Sequence, residues 1–380
     1  MTGIGPAAAS TGSRPRPSAW TTARVVALFA AALLQPIGPA LADSTAARTN
    51  AQPVSPRVVV VNFFGLEAAP WLAVLHADVR VMVPGLPAEF PWLQCTADAI
   101  CQMTAGMGHA NAAASMTALI YGGALDLRTT YFIIAGIAGI DPGHGTLGSA
   151  AWARFAVDDG IAHEIDARER PASWPDGYFG IMTTAPDQKP EFAYGSEVFR
   201  LDEALLQKAL SLSGAVSLED SDDARAYRSR YPHAPANQPP RVIGCDTVSG
   251  DTWWAGARLG DRARRWTELL TDGKGEYCTT QQEDNAILTA LARGALSGLI
   301  DFRRIAILRS GADFDRPYPG QSVVDSMLAQ RANTGAVRIA AANLVHAGMP
   351  LVSAIREHWE SWQAGVPAAI AVVPEGPHRP

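Results

Sequence analysis

Two charged side chains four residues apart, Arg309 and Asp313, follow a short apolar run, Ile305-Ala306-Ile307-Leu308. Such a run has the pattern of a strand buried on both faces. Ser310, Gly311 and Ala312 between the charges are small enough to let the backbone turn there. In an open α/β sheet, ligands bind beyond the carboxyl ends of strands. A carboxyl group at that position can be desolvated and kept protonated, the condition for a general acid. The plainer reading is an Arg–Asp pair that ties down a loop. Glu67 stands in the same relation to another buried run, Val58 to Asn62. Its plainer role is an acidic charge at a helix N-terminus. Glu283, in Glu283-Asp284-Asn285, opens a helix directly after a short strand, Tyr277 to Thr280.

The elements that must position these groups alternate between strand and helix. A strand at Tyr131 to Ala135 closes in Gly136-Ile137-Ala138-Gly139, and one at Arg241 to Val248 closes in Ser249-Gly250-Asp251-Thr252-Trp253-Trp254. Leu93 to Cys95 and Ile100 to Thr104 read as a hairpin. Gly106-Met107-Gly108-His109 leads into an Ala-rich helix ending near Tyr121. That G-x-G is a weak dinucleotide signal, because the third glycine position holds Asn111. The glycines better suit a tight strand-to-helix turn whose amides face a ligand. Gly148 to Val157 and Ala162 to Ile165 suggest an antiparallel excursion, and residues 170–195 a long loop. Helices are expected at Asp202 to Ser211, Ala257 to Leu270, Val323 to Arg331 and Val337 to Trp362, with a polar stretch from Glu219 to Arg230. Without an internal repeat, this order predicts an α/β fold.

The chain has 380 residues, 18% of them charged, with a net charge of −6. Nothing in that balance points to nucleic acid, since the arginines form no basic run. Arg14, Arg16 and Arg24 precede the apolar run Val25 to Leu34, and Ala40-Leu41-Ala42 has the small-x-small form of a cleavage site. Residues 1–42 therefore read as a signal peptide and 43–56 as a loose tail. The domain is expected over 57–366, followed by a tail at 367–380. Export makes the expected location periplasmic or secreted and permits disulfides. Cys95–Cys101 is the favoured pair, because these residues flank the turn-forming Thr96-Ala97-Asp98. A metal site is not expected, since there is no C-x-x-C and the histidines are scattered. No span is expected after signal cleavage, because Ile339 to Ile355 is interrupted by Asn343, His346 and Pro350.

In order, FFGLEAAPWL, TAGMGHANAAAS, AGIAGIDP, SGDTWW, QQEDNAI and RSGADFDRPYPG resemble the purine nucleoside phosphorylase and methylthioadenosine nucleosidase superfamily. The resemblance is closer to the exported proteins called purine nucleoside permeases, over roughly residues 57–365. It implies a single-domain nucleoside phosphorylase-like α/β fold, with a mixed central sheet flanked by helices. It also implies a purine nucleoside ligand, no cofactor beyond phosphate as a possible co-substrate, and a possible homo-oligomer. By the same resemblance, Asp313 protonates purine N7 and Glu283 accepts hydrogen bonds from the ribose 2′ and 3′ hydroxyls. Trp253 stacks on the base, and Arg309 lies near the sugar and the water-activating acid, which matches Glu67. Gly136 and Gly139 line the nucleophile pocket, with Ser249, Asn285 and His109 counted among the substrate-binding residues. Phosphorylases carry phosphate-gripping residues where this chain has Ile134 and Ile137, so the departure favours water as nucleophile. Ala312 replaces a Ser that often hydrogen-bonds the acid. The readings that compete are N-glycosidic cleavage and non-catalytic nucleoside binding in support of transport. A nucleotide-cofactor oxidoreductase built on the G-x-G is the weakest.

Overall fold

The structure, a computed structural model, describes residues 54–329 and 334–368. The expected signal peptide and most of both tails lie outside the described residues. Residues 54–56 already belong to the fold, since Val54 bridges Leu125 and accepts a hydrogen bond from the Asp126 amide.

In chain order, β1 (Val58–Asn62) leads into α1 (Gly65–Leu75), and β2 (Val79–Met82), β3 (Trp92–Cys95) and β4 (Ile100–Thr104) follow. Then come α2 (His109–Tyr121), β5 (Tyr131–Ile140), β6 (Ala150–Ala153), β7 (Phe155–Asp158), β8 (His163–Glu164), β9 (Tyr178–Phe179) and β10 (Val198–Arg200). Two helices, α3 (Glu203–Ser213) and α4 (Asp222–Arg228), precede β11 (Val242–Gly244) and β12 (Asp246–Ser249). The chain continues through α5 (Ala257–Leu270), β13 (Tyr277–Gln281), α6 (Asp284–Leu296) and β14 (Ile305–Phe314). It closes with α7 (Val323–Ala329), α8 (Ala336–Glu357) and α9 (Trp359–Trp362).

β5 is the hub of a mixed α/β sheet. It runs parallel to β1 and β14 and antiparallel to the end of β13. β1 shows why both faces of the sheet are covered. Its Val59 and Val61 join Met103, Met116, Ile287 and Leu291 beneath α2 and α6. Val58 and Val60 join Trp71, Leu344 and Leu351 beneath α1 and α8. Alternate residues of a strand face opposite sides, so an unbroken valine run requires two cores. The β2–β3–β4 edge is antiparallel, and Cys95 lies opposite Cys101, to which it is disulfide-bonded. A second disulfide joins Cys245 to Cys278.

Both strands expected to stop at a glycine turn run on: β5 through Gly136 to Ile140, and β14 through Arg309 to Phe314. Their small residues let the two strands stay paired, with a register shift between Gly311 and Asp313. Arg241 to Val248 is two strands rather than one. β11 pairs with β6, whereas β12 pairs with β7 and β13. The polar stretch from Glu219 contains α4, whose N-terminus is capped by the Ser221 hydroxyl accepting from the Ala224 amide. α8 is, among the described residues, the one helix long and apolar enough to cross a membrane. Here it packs on the sheet, and its Asn343 donates to the carbonyls of Gly148 and Glu219.

Candidate functional site

Arg309 leaves β14 toward the N-terminus of α6, where the backbone presents two acids in succession, Glu283 and Asp284. Its side chain is 1% exposed, among the largest fully buried side chains. Its Nε donates to Asp284 Oδ2 at 3.2 Å and its Nη2 to Asp284 Oδ1 at 2.5 Å, a two-pronged pair. Nη1 and Nη2 reach Glu283 Oε2 at 3.3 Å each, and Nη1 also donates to the Ile137 carbonyl at 3.2 Å. The guanidinium stacks over Phe63, 4.6 Å from the ring centre. Gln281 fixes the helix start. Its Oε1 accepts from the amides of Glu283 and Asp284, and its Nε2 donates to Ser249 Oγ.

Glu67, in the first turn of α1, completes the cluster from the other side. Its Oε2 accepts from the Phe63 amide and its Oε1 from the Ile137 amide, both at 2.7 Å. Burial pushes its carboxyl up to about 8, against the pull of Arg309 and the two amides. Burial also raises Glu283 and Asp284, again opposed by Arg309. Three buried carboxyl groups thus surround one buried guanidinium.

The turn at Gly106 to Gly108 meets this cluster. The Gly108 amide donates to Glu283 Oε1 at 3.2 Å. His109 opens α2 with Nδ1 3.2 Å from Asp251 Oδ1 and Nε2 3.6 Å from Asp158 Oδ2. Burial lowers its pKa, but hydrogen bonds to Asp158 and Asp251 outweigh that, and the net shift is upward.

Asp313 lies apart from the guanidinium cluster. Arg309 is in register with Gly136 and Asp313 with Gly139. Three residue steps along β5 therefore separate them, about 10 Å at roughly 3.3 Å per step. The residue keeps part of its surface open, yet burial of the carboxyl, aided by the charge of Asp315, pushes it up to about 7. It borders a cavity of about 10 Å³, room for one water, with Leu147, Tyr227, Phe314, Ser326 and Thr334. Ile137, Gly139 and Thr280 are partly exposed as well.

The remaining expected residues divide by role. Gly136 leaves room for Arg309, since a Cβ there would collide with the guanidinium and with Phe63. A Cβ on Gly139 would come within 2.9 Å of Asp313 Oδ1. Ser249 and Asn285 belong to the frame. Ser249 Oγ accepts from Gln281 and from the Asn285 amide, and Asn285 Nδ2 donates to the carbonyls of Ser196 and Glu197. Trp253 is 58% exposed, and Trp254 is the buried member of the pair. Asp284 was not singled out by sequence reasoning, because an acid at a helix start is ordinary capping chemistry. Among the described residues, no group of three or more His, Cys, Asp or Glu is arranged to hold a metal ion.

The family "Purine nucleoside permease (NUP)" matches residues 55–367. A probable purine nucleoside permease of Schizosaccharomyces pombe is 39% identical over 322 residues, covering 81% of this chain and 91% of its relative. A purine nucleoside permease of Candida albicans is 34% identical over 310 residues, covering 80% and 76%. Among solved structures, a 5′-methylthioadenosine/S-adenosylhomocysteine nucleosidase from Neisseria meningitidis aligns with a TM-score of 0.48 and 16% identity, covering 78% of this chain and 98% of that one. A futalosine hydrolase of Helicobacter pylori aligns with a TM-score of 0.48 and 12% identity, covering 77% and 98%. The match over residues 55–367 and the 39% identity to a named relative rest on most of the chain, and by them this protein belongs to the purine nucleoside permease family.

Proposed function

We propose that this protein cleaves the N-glycosidic bond of purine nucleosides, with water rather than phosphate as the nucleophile. The observation that carries the reading is a pair of carboxyl groups raised toward neutral pH along β5, Glu67 on the Ile137 amide at about 8 and Asp313 in register with Gly139 at about 7. Glycosidic cleavage uses an acid to protonate the leaving group and a second group to activate or stabilise the attacking side. A purine nucleoside laid along Ile137 to Gly139 would place its base at Asp313 and its sugar between Glu283 and Glu67. Asp313 would protonate N7 as the bond to C1′ lengthens. Glu67 would take a proton from the attacking water. Glu283 would accept from the ribose hydroxyls, and its charge would favour the cationic sugar of the transition state. Named relatives of the family supply the purine nucleoside as substrate class.

Water is favoured because the guanidinium of the cluster is already occupied by Asp284 and Glu283. Among the described residues, an incoming phosphate would meet three carboxyl groups at that end and no cation that is not already paired with an acid. The second reading, binding without cleavage in support of transport, is favoured by the names of the relatives, which are called permeases. Incubating the purified protein with inosine or adenosine, with and without phosphate, separates them. Free base and ribose are expected in both buffers. Ribose 1-phosphate as the main product would overturn the choice of nucleophile, and binding with no product would establish the second reading.

A further inference from the structure

We propose that Ser326 of α7 is a positioning residue for Asp313, holding its carboxyl through one water that the two side chains share. Its part in catalysis rests on the nucleoside-cleavage reading, but the water-bridged contact does not.

α7 buries its polar side. Val323, Val324 and Leu328 face outward, while Ser326 is 5% exposed and is the buried residue of the helix. A surface helix ordinarily buries its apolar side chains, so a buried serine calls for a hydrogen-bond partner. The helix itself does not supply one. Ser213 and Thr289 bond back to the carbonyl one turn earlier, both at 2.7 Å, as helical serines and threonines commonly do. Among the described residues, the Ser322 carbonyl receives the Ser326 amide at 3.0 Å and not its hydroxyl.

Ser326 and Asp313 border the same cavity of about 10 Å³. Asp313 also lacks a partner: among the described residues no amide or side chain donates to its carboxyl, and Ala312 beside it has no hydroxyl to offer. Two other polar side chains line the cavity. The Tyr227 hydroxyl is engaged with the Gln321 amide group, at 3.2 and 3.3 Å, and Thr334 Oγ1 accepts from the Ala336 amide at 3.4 Å. A buried water makes about three hydrogen bonds. Asp313, Ser326 and the Thr334 hydroxyl supply them. Ser326 is held in place from the start of its helix, where the Ser322 hydroxyl accepts from the Asp325 amide at 3.0 Å. Asp313 Oδ1 lies over Gly139, so the water takes Oδ2 and leaves Oδ1 for the base.

The first readout is a crystal structure of the ligand-free protein. An ordered water within hydrogen-bonding distance of Asp313 Oδ2 and Ser326 Oγ is expected, and it should be lost in Ser326→Ala, with the Asp313 carboxyl turned from its parent position. Alanine favours a helix more than serine does, so α7 should persist in the variant. The second readout is turnover. Ser326→Ala is expected to lower kcat for inosine about tenfold with KM nearly unchanged, the effect of about one lost hydrogen bond at the acid. A riboside with a nitrophenyl-type leaving group, which departs without protonation, should be cleaved by Ser326→Ala at the parent rate. A serine that merely supports the fold would slow both substrates alike. The proposal is overturned if the parent holds no such water, whether the space is dry or the two side chains touch directly. Equal slowing of both substrates, or an undiminished rate on inosine, overturns it as well. If the parent cleaves neither substrate, the cleavage reading fails while the water in the parent still decides the contact. If Ser326→Ala does not fold, the parent crystal decides it.

Discussion

Gly136 and Arg309 sit side by side on paired strands, and the guanidinium occupies the space that a side chain at Gly136 would need. The glycine is therefore required by a buried cation rather than by a turn. Its φ is not among the left-handed values found in this chain, so sterics alone explain the absence of a Cβ.

Gly136→Ala tests this directly. The added methyl would meet Phe63 at 2.8 Å and displace the guanidinium. Overpacking of this kind costs about 1–3 kcal/mol. Both a lower midpoint of thermal unfolding and a large loss of turnover are expected. Parent-like turnover in Gly136→Ala would show that Arg309 need not hold its observed position.

Two of the raised carboxyl groups, Glu67 and Asp313, also predict the direction in which stability changes with pH. Glu67 rises from 4.5 to about 8 and Asp313 from 3.8 to about 7. Between the lower and upper values the folded chain holds protons that the unfolded chain has released. Stability contributed by these groups is thus full below about pH 4 and is lost as pH rises through 7 and 8. Asp141, lowered to about 2, acts in the opposite sense but only in acid. Denaturant unfolding at several pH values should show a decline from pH 4.5 to 8, shallower in Glu67→Gln. Equal slopes in the two proteins would contradict the raised value.

The disulfides should contribute unequally. Cys245 and Cys278 are 33 residues apart, Cys95 and Cys101 only 6. On the chain-entropy argument, the first closes a loop worth about 4 kcal/mol and the second about 2 kcal/mol. Paired Cys→Ser variants, compared by denaturant unfolding, should keep that order. Intact-mass measurement should find no free thiol before reduction.

How much of this was legible in the sequence depends on the range of the interaction. Apolar runs such as Val58 to Val61 and Ile305 to Leu308 announce buried strands, and the acids just beyond them are visible at once. The burial of both strand faces follows from the same pattern. The extension of β5 and β14 through their small residues was not legible, because it depends on each strand finding the other. Asp284 was hidden for the same reason. Its partner Arg309 lies 25 residues away and meets it only after α6 and β14 have docked. Trp253 and Trp254 show the limit of identity alone: neighbouring residues point in different directions, and one is exposed while the other is buried.

Asp313 is where the mechanism can be tested most sharply. Asp313→Asn would keep nearly the same shape and the ability to hydrogen-bond a purine, yet could not transfer a proton. Turnover is expected to fall on the order of 10²–10⁴-fold, the usual contribution of a positioned acid. Affinity should change far less, because the lost interaction belongs to the transition state. Glu283→Gln should slow turnover and weaken ribose binding together, since that carboxylate faces the sugar end and is held there by Arg309 and the Gly108 amide. A nucleoside analogue with a nitrophenyl-type leaving group, which departs without protonation, should restore cleavage in Asp313→Asn but not in Glu283→Gln. Parent-like cleavage of inosine by Asp313→Asn would remove Asp313 from the mechanism.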